Sequence, residues 1–333
     1  MSAFVDGLPK CELHLHLEGT LEPELRFALA ERNGLALPFA TVEQVRASYA
    51  FDSLTSFLVT YYGAMEVLLT EQDFFDLAYA YLTRAAAQQV RYAEVFFDPQ
   101  AHTSRGVPFP TVMNGLRRAL VQAERDLGIR AALVLCFLRD SGADYAMATL
   151  MSALPYREWI LGVGLDSDER DHPPQEFAAV YARARAEGFF LTMHCDVDQV
   201  GSIDNIRTAL LDIGVDRIDH GSNVLEDDAL VQHLVDTGIG LTSCPISNSW
   251  AAGGMKATEI RTLLERGVRM TVSSDDPAYF GGYVSENLVA LQAEAGLSDE
   301  QLVQLERNAF TIAWLPTTVR ETWLAELEAY AAR

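Results

Sequence analysis

The sequence has few basic residues, few cysteines and no long hydrophobic run. Its 333 residues contain 25 Lys and Arg against 47 Asp and Glu, which gives a formal net charge of −22 at pH 7. A surface this acidic repels phosphate backbones and anionic membranes, so we expect neither a nucleic acid nor a membrane as a partner. The longest apolar stretch, residues 131–138, is too short to span a bilayer.

The cysteines form no pair that would suggest a disulfide framework. Cys11, Cys136, Cys195 and Cys244 lie far apart without a CxxC motif, and three of them lie in or beside apolar runs. Buried free thiols are typical of a reducing compartment. The first residues lack a basic segment followed by an apolar one, so we expect no secretory signal. Together these features predict a cytoplasmic protein.

Glycine-rich phosphate loops and flexible linkers are also absent. No GxGxxG follows any predicted strand, which argues against a nicotinamide or flavin oxidoreductase on a doubly wound sheet. Without a Pro/Gly/Ser-rich linker or an internal repeat, residues 1–333 are expected to form a single domain. The sequence leaves the oligomeric state open, and a homo-oligomer is compatible with it.

Short runs of Val, Ile, Leu and Phe alternate with longer amphipathic stretches. The runs predict strands at 10–15, 90–97, 130–138, 159–165, 188–194, 216–219, 238–243 and 268–274. Eight such units predict an α/β fold, a closed (β/α)8 TIM barrel. The segment 17–89 is too long for one crossover and contains helical patterns at 23–33, 41–47, 53–68 and 71–88. We therefore expect a helical insertion after strand 1, at about residues 20–89, that partly covers the top of the barrel.

Four of the seven histidines fall at the C-terminal ends of predicted strands, where barrel enzymes carry their chemistry. His14 and His16 alternate on the first strand, so their side chains project to the same side. His194 ends the fifth strand, His220 the sixth and Asp275 the eighth. Same-face histidines with a carboxylate across the barrel predict a first-row metal site with an open position for water.

Three segments resemble signatures of the adenosine/adenine deaminase family within the amidohydrolase superfamily. They are LPKCELHLHLEGT at 8–20, RIDHG at 217–221 and SSDDPAYFGG at 273–282, and the similarity extends in order from about residue 8 to residue 315. The resemblance implies hydrolytic deamination of a purine at C6, with ammonia as the leaving group. It also implies one Zn²⁺ per subunit, held by His14, His16, His194 and Asp275.

The same resemblance assigns roles to three acidic and basic side chains. His220 would be the base that takes a proton from water, Asp275 would both ligate the metal and aim the water, and Asp276 would bond N7 of the purine. Neutral imidazoles with one carboxylate leave zinc enough positive charge to bring the pKa of a bound water to about 7. The same ligands would also accept Fe²⁺ or Mn²⁺.

Several residues resemble the adenine-specific branch of the family more than the adenosine enzymes. Glu18 stands where adenosine deaminases usually carry an Asp that meets the ribose, and Ser167 falls in the loop that meets the N3 side of the base. The segments 96–100 and 164–167 fit the same branch. The substrate expected from this resemblance is adenine, converted to hypoxanthine. The alternative for Glu18 is a role at the start of the helix before Leu21 and Pro23.

The pattern breaks after the fifth strand. The family motif there is HAGE, whose glutamate protonates N1 of the purine, whereas this chain reads HCDVD and has Val197 in the glutamate position. Three hypotheses follow. Asp198, which we favour, or Asp196 replaces the glutamate; or the substrate is an N6-substituted purine, adenosine or another aminated heterocycle; or the protein binds metal with little catalysis.

A different metal-dependent hydrolase of the same superfamily, acting on phosphoesters or amides, is the other enzyme class to consider. Such relatives often hold two metals bridged by a lysine or glutamate from the fourth strand. The fourth predicted strand here runs GVGLD up to Asp166 and contains no lysine, and the acidic chain suits a phosphate poorly. The sequence therefore favours a single metal and a neutral heterocycle.

Overall fold

The strands of the molecule are all parallel. The computed structural model describes residues 2–195 and 201–333. Its first sheet has the order β1-β2-β3-β4-β5, with β1 Lys10–His16, β2 Val90–Phe97, β3 Arg130–Leu138, β4 Ile160–Asp166 and β5 Phe190–Leu191. The second sheet has the order β6-β7-β8-β9, with β6 His194–Cys195, β7 Arg217–His220, β8 Gly240–Ser243 and β9 Arg269–Val272.

Backbone hydrogen bonds join the two sheets into one closed barrel. The Thr192 N–H donates to Val163 O at 2.9 Å and the Asp219 N–H donates to Met193 O at 2.9 Å, so β5 and β6 are two halves of the fifth barrel strand. On the other side, the Asp275 N–H donates to His14 O at 3.1 Å, beyond the end of β9. The predicted eight-stranded α/β barrel is confirmed, with strand ends shifted by a few residues.

The inside of the barrel is apolar in its middle and polar towards both ends. Phe96, Val134 and Cys136 pack together as a separate buried cluster. Towards the N-terminal end, Arg217 donates to Glu94 at 2.5 Å and lies over the Trp314 ring. The buried charge of Arg217 is therefore paired, as a fully desolvated guanidinium requires. The C-terminal end carries the histidines described below.

Four helices form the predicted insertion between β1 and β2. They are α2 Pro23–Arg32, α3 Val42–Ala47, α4 Leu54–Ala64 and α5 Glu71–Ala87, and a short helix Ala3–Gly7, α1, precedes β1. Ser53 and Thr70 close capping boxes at the starts of α4 and α5, each accepting from the backbone N–H three residues on. The sequence prediction of this insertion is confirmed.

The remaining helices surround the barrel or cover its ends. In chain order, α6 to α11 are Pro99–Thr103, Phe109–Leu127, Ala143–Ala153, Ala178–Ala186, Ile203–Arg207 and Asp228–Thr237. The helices α12 to α17 are Pro245–Ala251, Ala257–Glu265, Pro277–Phe280, Val284–Ala295, Asp299–Ile312 and Thr317–Ala331. Within the described ranges, none of these helices is long and apolar enough to cross a membrane.

The insertion lies over the C-terminal end of the barrel through aromatic contacts. Phe57 on α4 packs on Phe280 with ring centroids 4.9 Å apart, and Phe51 packs edge-on against Phe280 at 6.1 Å. Tyr61, one turn after Phe57, continues the same stack. The top of the barrel is therefore roofed by α4, as the length of the insertion predicts.

Candidate active site

Three imidazoles and one carboxylate converge at the C-terminal end of the barrel. His194 Nε2 lies 3.0 Å from His14 Nε2 and 3.1 Å from His16 Nε2. Asp275 Oδ1 is 3.2 Å from His14 Nε2 and 3.5 Å from His16 Nε2. These four atoms are close enough to ligate one ion, and the histidines come from β1 and β6 as the sequence predicts.

The other nitrogen of two of these histidines is already engaged. The His14 Nδ1–H donates to Thr242 Oγ1 at 2.8 Å, and the Thr242 hydroxyl donates to Asp219 Oδ1 at 2.9 Å. The His194 Nδ1–H donates to the carbonyl of Leu165 at 3.1 Å. These bonds fix the tautomer that leaves Nε2 as a lone pair, the form in which imidazole binds a metal.

Burial and the Asp275 carboxylate act on the histidines in opposite directions. Although burial works against it, Asp275 raises the pKa of His14. Burial lowers the pKa of His194 well below its ordinary value, and burial likewise lowers the pKa of His16 to about 4. Although burial works against it, the pKa of Asp275 is held well below its usual range by His14. Facing lone pairs of neutral imidazoles repel unless a cation lies between them, so this donor set fits a divalent metal ion.

Phe96 on β2 supports the histidines from below. Its ring centroid is 5.1 Å from those of both His14 and His16 and 5.5 Å from that of His194. The ring is fully buried. It therefore restricts the rotation of three imidazoles at once without competing for their nitrogens.

His220 lies beside this group at the end of β7. Its ring is 4.6 Å from the His14 ring, and its Nε2 is 3.9 Å from Asp275 Oδ2, at the distal carboxylate oxygen. Burial lowers the pKa of His220 to about 4, so the imidazole is neutral and able to accept a proton at pH 7. Its Nδ1 is buried and makes no hydrogen bond to any described residue.

Unusual backbone conformations mark the same region. His220 and Asp275 have φ of +63° and +65°, and Ser167 has φ of +73°. Non-glycine residues rarely adopt this left-handed conformation, and such strain clusters at functional sites. His220 is the last residue of β7, Ser167 follows β4 directly, and Asp275 lies beyond the end of β9, so all three mark the C-terminal ends of barrel strands.

Ser247 is a site residue that the sequence prediction missed. Its hydroxyl donates to Asp275 Oδ2 at 2.6 Å, so Oδ1 is left to face the histidines. It lies in the first turn of α12, directly after β8, in the segment SCPISNSW, which matches none of the motifs recognised in the sequence. Its position after a strand end is the only signal that could have identified it.

A cavity opens above the metal-binding group. One wall is polar and includes Asp98, Asp166, Ser167 and Asp276, and the other is formed by apolar side chains. The apolar lining residues are Phe51, Leu54, Phe57, Leu58, Trp250, Ala251 and Phe280. Such a cavity is typical of a small-molecule site, with few polar groups fixing the orientation of the ligand.

The polar wall contains four acidic side chains, Asp98, Asp166, Glu169 and Asp276. Burial, together with the charges of Asp166 and Glu18, raises the pKa of Asp98 well above its ordinary value. Burial also raises the pKa of Asp166 to about 7 and that of Asp276 well above its usual range. Burial of several carboxyls around one cavity is costly, which marks this wall as functional rather than structural.

Glu18 lies behind this wall and is not among the residues that line the cavity. Its Oε1 accepts from His102 Nε2 at 2.8 Å and from the backbone N–H of Asp98 at 3.1 Å. Glu18 is also the first residue of a short 3-10 helix, Glu18–Thr20, which precedes Leu21, whereas α2 begins after Glu22. Glu18 reaches the cavity through Asp98, and its predicted direct contact with a substrate stays a prediction.

Ser167 lies on the cavity wall directly after β4, and its contact with a substrate stays a prediction. Its Oγ accepts from Tyr62 Oη on α4 at 2.9 Å, which connects the roof to the barrel. Asp276 also lines the cavity, and its Oδ1 has no hydrogen bond to any described residue. The candidate acids Asp198 and Asp196 lie outside the described residues.

Three histidines and an aspartate at the C-terminal end of a closed (β/α)8 barrel, with a neutral histidine beside them, define a metal-dependent hydrolase. The sequence model of the family described as Adenosine deaminase matches residues 9–330. The chain belongs to this family, whose members are hydrolytic deaminases.

Individual relatives agree with this assignment. The chain is 48% identical over 332 residues to the adenine deaminase of Hahella chejuensis, and the match covers 99% of both chains. It is 47% identical over 330 residues to an uncharacterised deaminase of Schizosaccharomyces pombe, and this match covers 99% of this chain and 97% of that one. The crystal structure of an adenine deaminase from Arthrobacter aurescens superposes with a TM-score of 0.94 at 42% identity, covering 98% and 100% of the two chains. A zinc-bound amidohydrolase from Burkholderia ambifaria superposes with a TM-score of 0.89 at 28% identity, covering 100% of this chain and 95% of that one.

Proposed function

We propose that this chain is a zinc-dependent hydrolase that converts adenine and water to hypoxanthine and ammonia. The observation that carries the proposal is the convergence of three imidazole Nε2 atoms and the Asp275 carboxylate beside His220, at a cavity with one polar and one apolar wall. The likeness to proteins named adenine deaminases supports the choice of substrate.

Zinc fits the donor set best. Three neutral imidazoles and one carboxylate are ligands that catalytic zinc prefers, and the related Burkholderia amidohydrolase holds zinc. When bound, the ion polarises a water molecule and lowers its pKa towards neutrality. One ion per subunit is expected, because the four ligand atoms surround a single point.

The side chains of the chain itself then position and deprotonate the water. His220 accepts a proton from the attacking water, and Asp275, held by Ser247, orients that water towards C6 of the purine. A C6–O bond forms as the ring C6–N1 double bond opens and N1 takes a proton from the acid assigned below. The C6–N6 bond then breaks, ammonia departs with the proton that His220 had taken, and the proton left on the C6 hydroxyl passes through solvent to restore that acid.

Asp276, Ser167 and Glu18 orient the base in this proposal. Asp276 bonds N7 of the purine through its free Oδ1, and Ser167 lies towards N3. Glu18 contributes from behind by fixing Asp98, since it holds the backbone N–H of that residue. Together these contacts place C6 above the metal-binding group.

Protonation of N1 is assigned to Asp198, with Asp196 as the alternative. The support is chemical: Val197 occupies the glutamate position of the family motif and cannot transfer a proton. Asp198→Ala should lower kcat for adenine about 100-fold or more, whereas Asp196→Ala should lower it far less. A larger loss in Asp196→Ala than in Asp198→Ala would assign the protonation of N1 to Asp196. Unchanged turnover in both variants would show that neither aspartate protonates N1.

The direct test of the function uses purified, zinc-loaded protein with two substrates. Adenine should yield hypoxanthine and ammonia in equal amounts. In addition, 6-chloropurine should be hydrolysed to hypoxanthine, because chloride leaves C6 without needing a proton. Hydrolysis of 6-chloropurine alone would point to a defective acid, and conversion of neither compound would refute the function.

The apolar wall favours a second candidate, an N6-substituted purine. Adenine is a flat polar base, yet seven apolar residues line the cavity, and Trp250 stands at its mouth with 45% of its surface exposed. An alkyl group on N6 would bury against this wall, and the leaving group would then be an alkylamine. A kcat/KM for N6-methyladenine above that for adenine would establish this candidate.

A variant pair separates the two substrates further. Trp250→Ala removes part of the apolar wall and should reduce kcat/KM for N6-alkyl purines several-fold more than for adenine. The control is Val59→Ala, because Val59 is 73% exposed on α4 and does not line the cavity. Equal effects of Trp250→Ala on both substrates would show that the apolar wall does not contact an N6 substituent.

The cysteines bear on the cellular location of the enzyme. All four cysteines are buried and none forms a disulfide with a described residue, which fits a reducing compartment, and we assign the protein to the cytoplasm on that basis. Its partner is the small purine substrate itself. Whether subunits associate is a matter for a sedimentation measurement.

A further inference from the structure

Two buried carboxyls on the polar wall have no role in the steps derived above. Asp98 follows β2 and Asp166 is the last residue of β4, and both line the cavity while being 1% and 3% exposed. The two side chains bond each other, Tyr61 Oη donates to Asp98 Oδ2 at 3.4 Å, and Asp166 Oδ2 lies 3.4 Å from His16 Nδ1. Asp98 Oδ1 and Asp166 Oδ1 have no further donor among the described residues. Buried carboxylate oxygens without a donor cost free energy, so a donor from a ligand is the expected partner.

The position of this pair relative to the metal-binding group restricts what the donor can be. Asp166 Oδ2 is 3.4 Å from His16 Nδ1, the ring nitrogen on the far side from the one that faces the metal position. The pair therefore lies about one imidazole ring away from the point where C6 must be. A group that reaches it belongs to the opposite edge of the bound heterocycle.

The chemistry of the purine then selects one atom. Adenine has hydrogen-bond donors only at its N6 amino group and at one imidazole nitrogen, N9, and the remaining ring nitrogens are acceptors. The amino group lies at C6, where it leaves. The donor that remains for a carboxylate on the opposite edge is the N9–H, and a nucleoside or nucleotide lacks it because N9 carries the sugar.

We propose that Asp98 and Asp166 accept a hydrogen bond from N9–H of the bound purine and thereby select the free base over its N9-glycosides. This deepens the proposed function, on which it rests. A site that hydrogen-bonds a substrate N–H rejects analogues without it strongly, because its buried acceptors are then left unpaired. The pair is thus a specificity determinant, and it acts on binding rather than on the bond that breaks.

Adenine, 9-methyladenine and adenosine are the substrates that test this pair. The wild-type enzyme should prefer adenine to 9-methyladenine by at least about 100-fold in kcat/KM. Asp166→Ala and Asp98→Ala should each lower kcat/KM for adenine about 10- to 100-fold, mainly through KM, and leave that for 9-methyladenine unchanged or raised. The control is Asp140→Asn, since Asp140 is an exposed carboxylate that does not line the cavity.

Three competing roles for the pair predict different results. If the pair only excludes bulk, the alanine variants will gain 9-methyladenine turnover with no loss for adenine. If it only supports the fold, turnover of both substrates will fall equally and the melting temperature will fall too, whereas removal of a buried carboxyl with an unpaired oxygen should leave it equal or higher. If the pair with His16 holds a second ion, metal analysis will give two ions per chain. Each of these three outcomes overturns the proposal.

A binding measurement keeps this test separate from the test of function. Calorimetry with the metal-loaded protein should give tighter binding for hypoxanthine than for 9-methylhypoxanthine, and Asp166→Ala should reduce the difference at least about 10-fold. If no purine is turned over but this preference is found, the proposed reaction fails while the role of the pair stands. Equal affinity for the two compounds would reject the role of the pair.

Discussion

Ser247 holds Asp275 by a 2.6 Å hydrogen bond to Oδ2, the oxygen that faces away from the histidine cluster. Asp275 Oδ1 is consequently directed at His14 and His16, at 3.2 and 3.5 Å. Asp275 thus faces the metal-binding group with Oδ1, while its Oδ2 accepts the hydrogen bond from Ser247 and lies 3.9 Å from His220 Nε2. The orientation of Asp275 depends on a residue from the neighbouring strand end.

Ser247→Ala should reduce kcat for the proposed substrate about 10- to 100-fold, because groups that orient a metal ligand typically contribute that much. Zinc retention during dialysis should also weaken. The matched control is Ser249→Ala on the same helix, since Ser249 is exposed and its hydroxyl donates to the carbonyl of Ile246. An unchanged kcat with full zinc occupancy would show that Asp275 needs no such support.

His220→Asn should lower kcat about 10²- to 10⁴-fold, the usual contribution of a general base, with the zinc content unchanged. Asparagine tolerates the left-handed backbone at this position, so the fold should persist. Metal analysis and steady-state kinetics on the same preparation check the prediction. Loss of the metal along with the activity would instead identify His220 as a ligand.

Gly19→Ala should damage the site through Asp276. A Cβ at position 19 would overlap the Asp276 carboxylate and its backbone, so the side chain that is proposed to bind N7 must move. We expect kcat/KM for adenine to fall at least about 10-fold. Gly63→Ala is the control, because a Cβ there meets nothing within 4 Å and should be neutral or slightly stabilising. Equal kinetics in the two variants would contradict the role of Asp276.

The stability of the fold should depend on pH through Glu306 on α16. Its buried carboxyl accepts from the Cys11 N–H at 2.8 Å, and burial raises its pKa from 4.5 to about 8. The folded state therefore holds this proton more tightly than the unfolded state. The stabilisation is complete below pH 4.5 and is lost as the pH rises through about 8.

The nearby Lys10 has the opposite dependence at higher pH. Burial lowers its pKa to about 8, so its contribution is present above pH 10.5 and is lost as the pH falls through about 8. Between about pH 5 and 7.5, only Glu306 of these two residues makes the free energy of unfolding depend on pH. Glu306→Gln should therefore reduce the fall in melting temperature between these pH values by at least about 2 °C, measured on zinc-saturated protein. An identical fall in both proteins would contradict the raised pKa of the buried Glu306 carboxyl.

Much of this architecture is predictable from the sequence because the strands are buried on both faces. The apolar run 130–138 coincides with β3, since the interior and the surrounding helices both demand apolar side chains there. The fifth strand, predicted at 188–194, is split around Thr192 and Met193. Its first half, β5, pairs with β4 and its second half, β6, pairs with β7. This split depends on closure of the barrel, so the local sequence does not predict it.

The metal-binding residues are predictable for a similar reason, since HxH on one strand fixes two side chains on one face. Asp98 and Asp166 could be interpreted only as marks of a subfamily, because their approach to one another and to His16 depends on the shear of the barrel. Glu18 shows the converse. Its position in the motif suggests contact with a substrate, but the partner that fixes it, His102, comes from a helix 84 residues later.

Zinc titration of metal-free protein tests the central claim most directly. A chelator should abolish the conversion of adenine to hypoxanthine, and added Zn²⁺ should restore it linearly up to one equivalent per chain and no further. His16→Ala should prevent this restoration. Full turnover without metal, or a plateau at two equivalents, would contradict a site built from His14, His16, His194 and Asp275 around one ion.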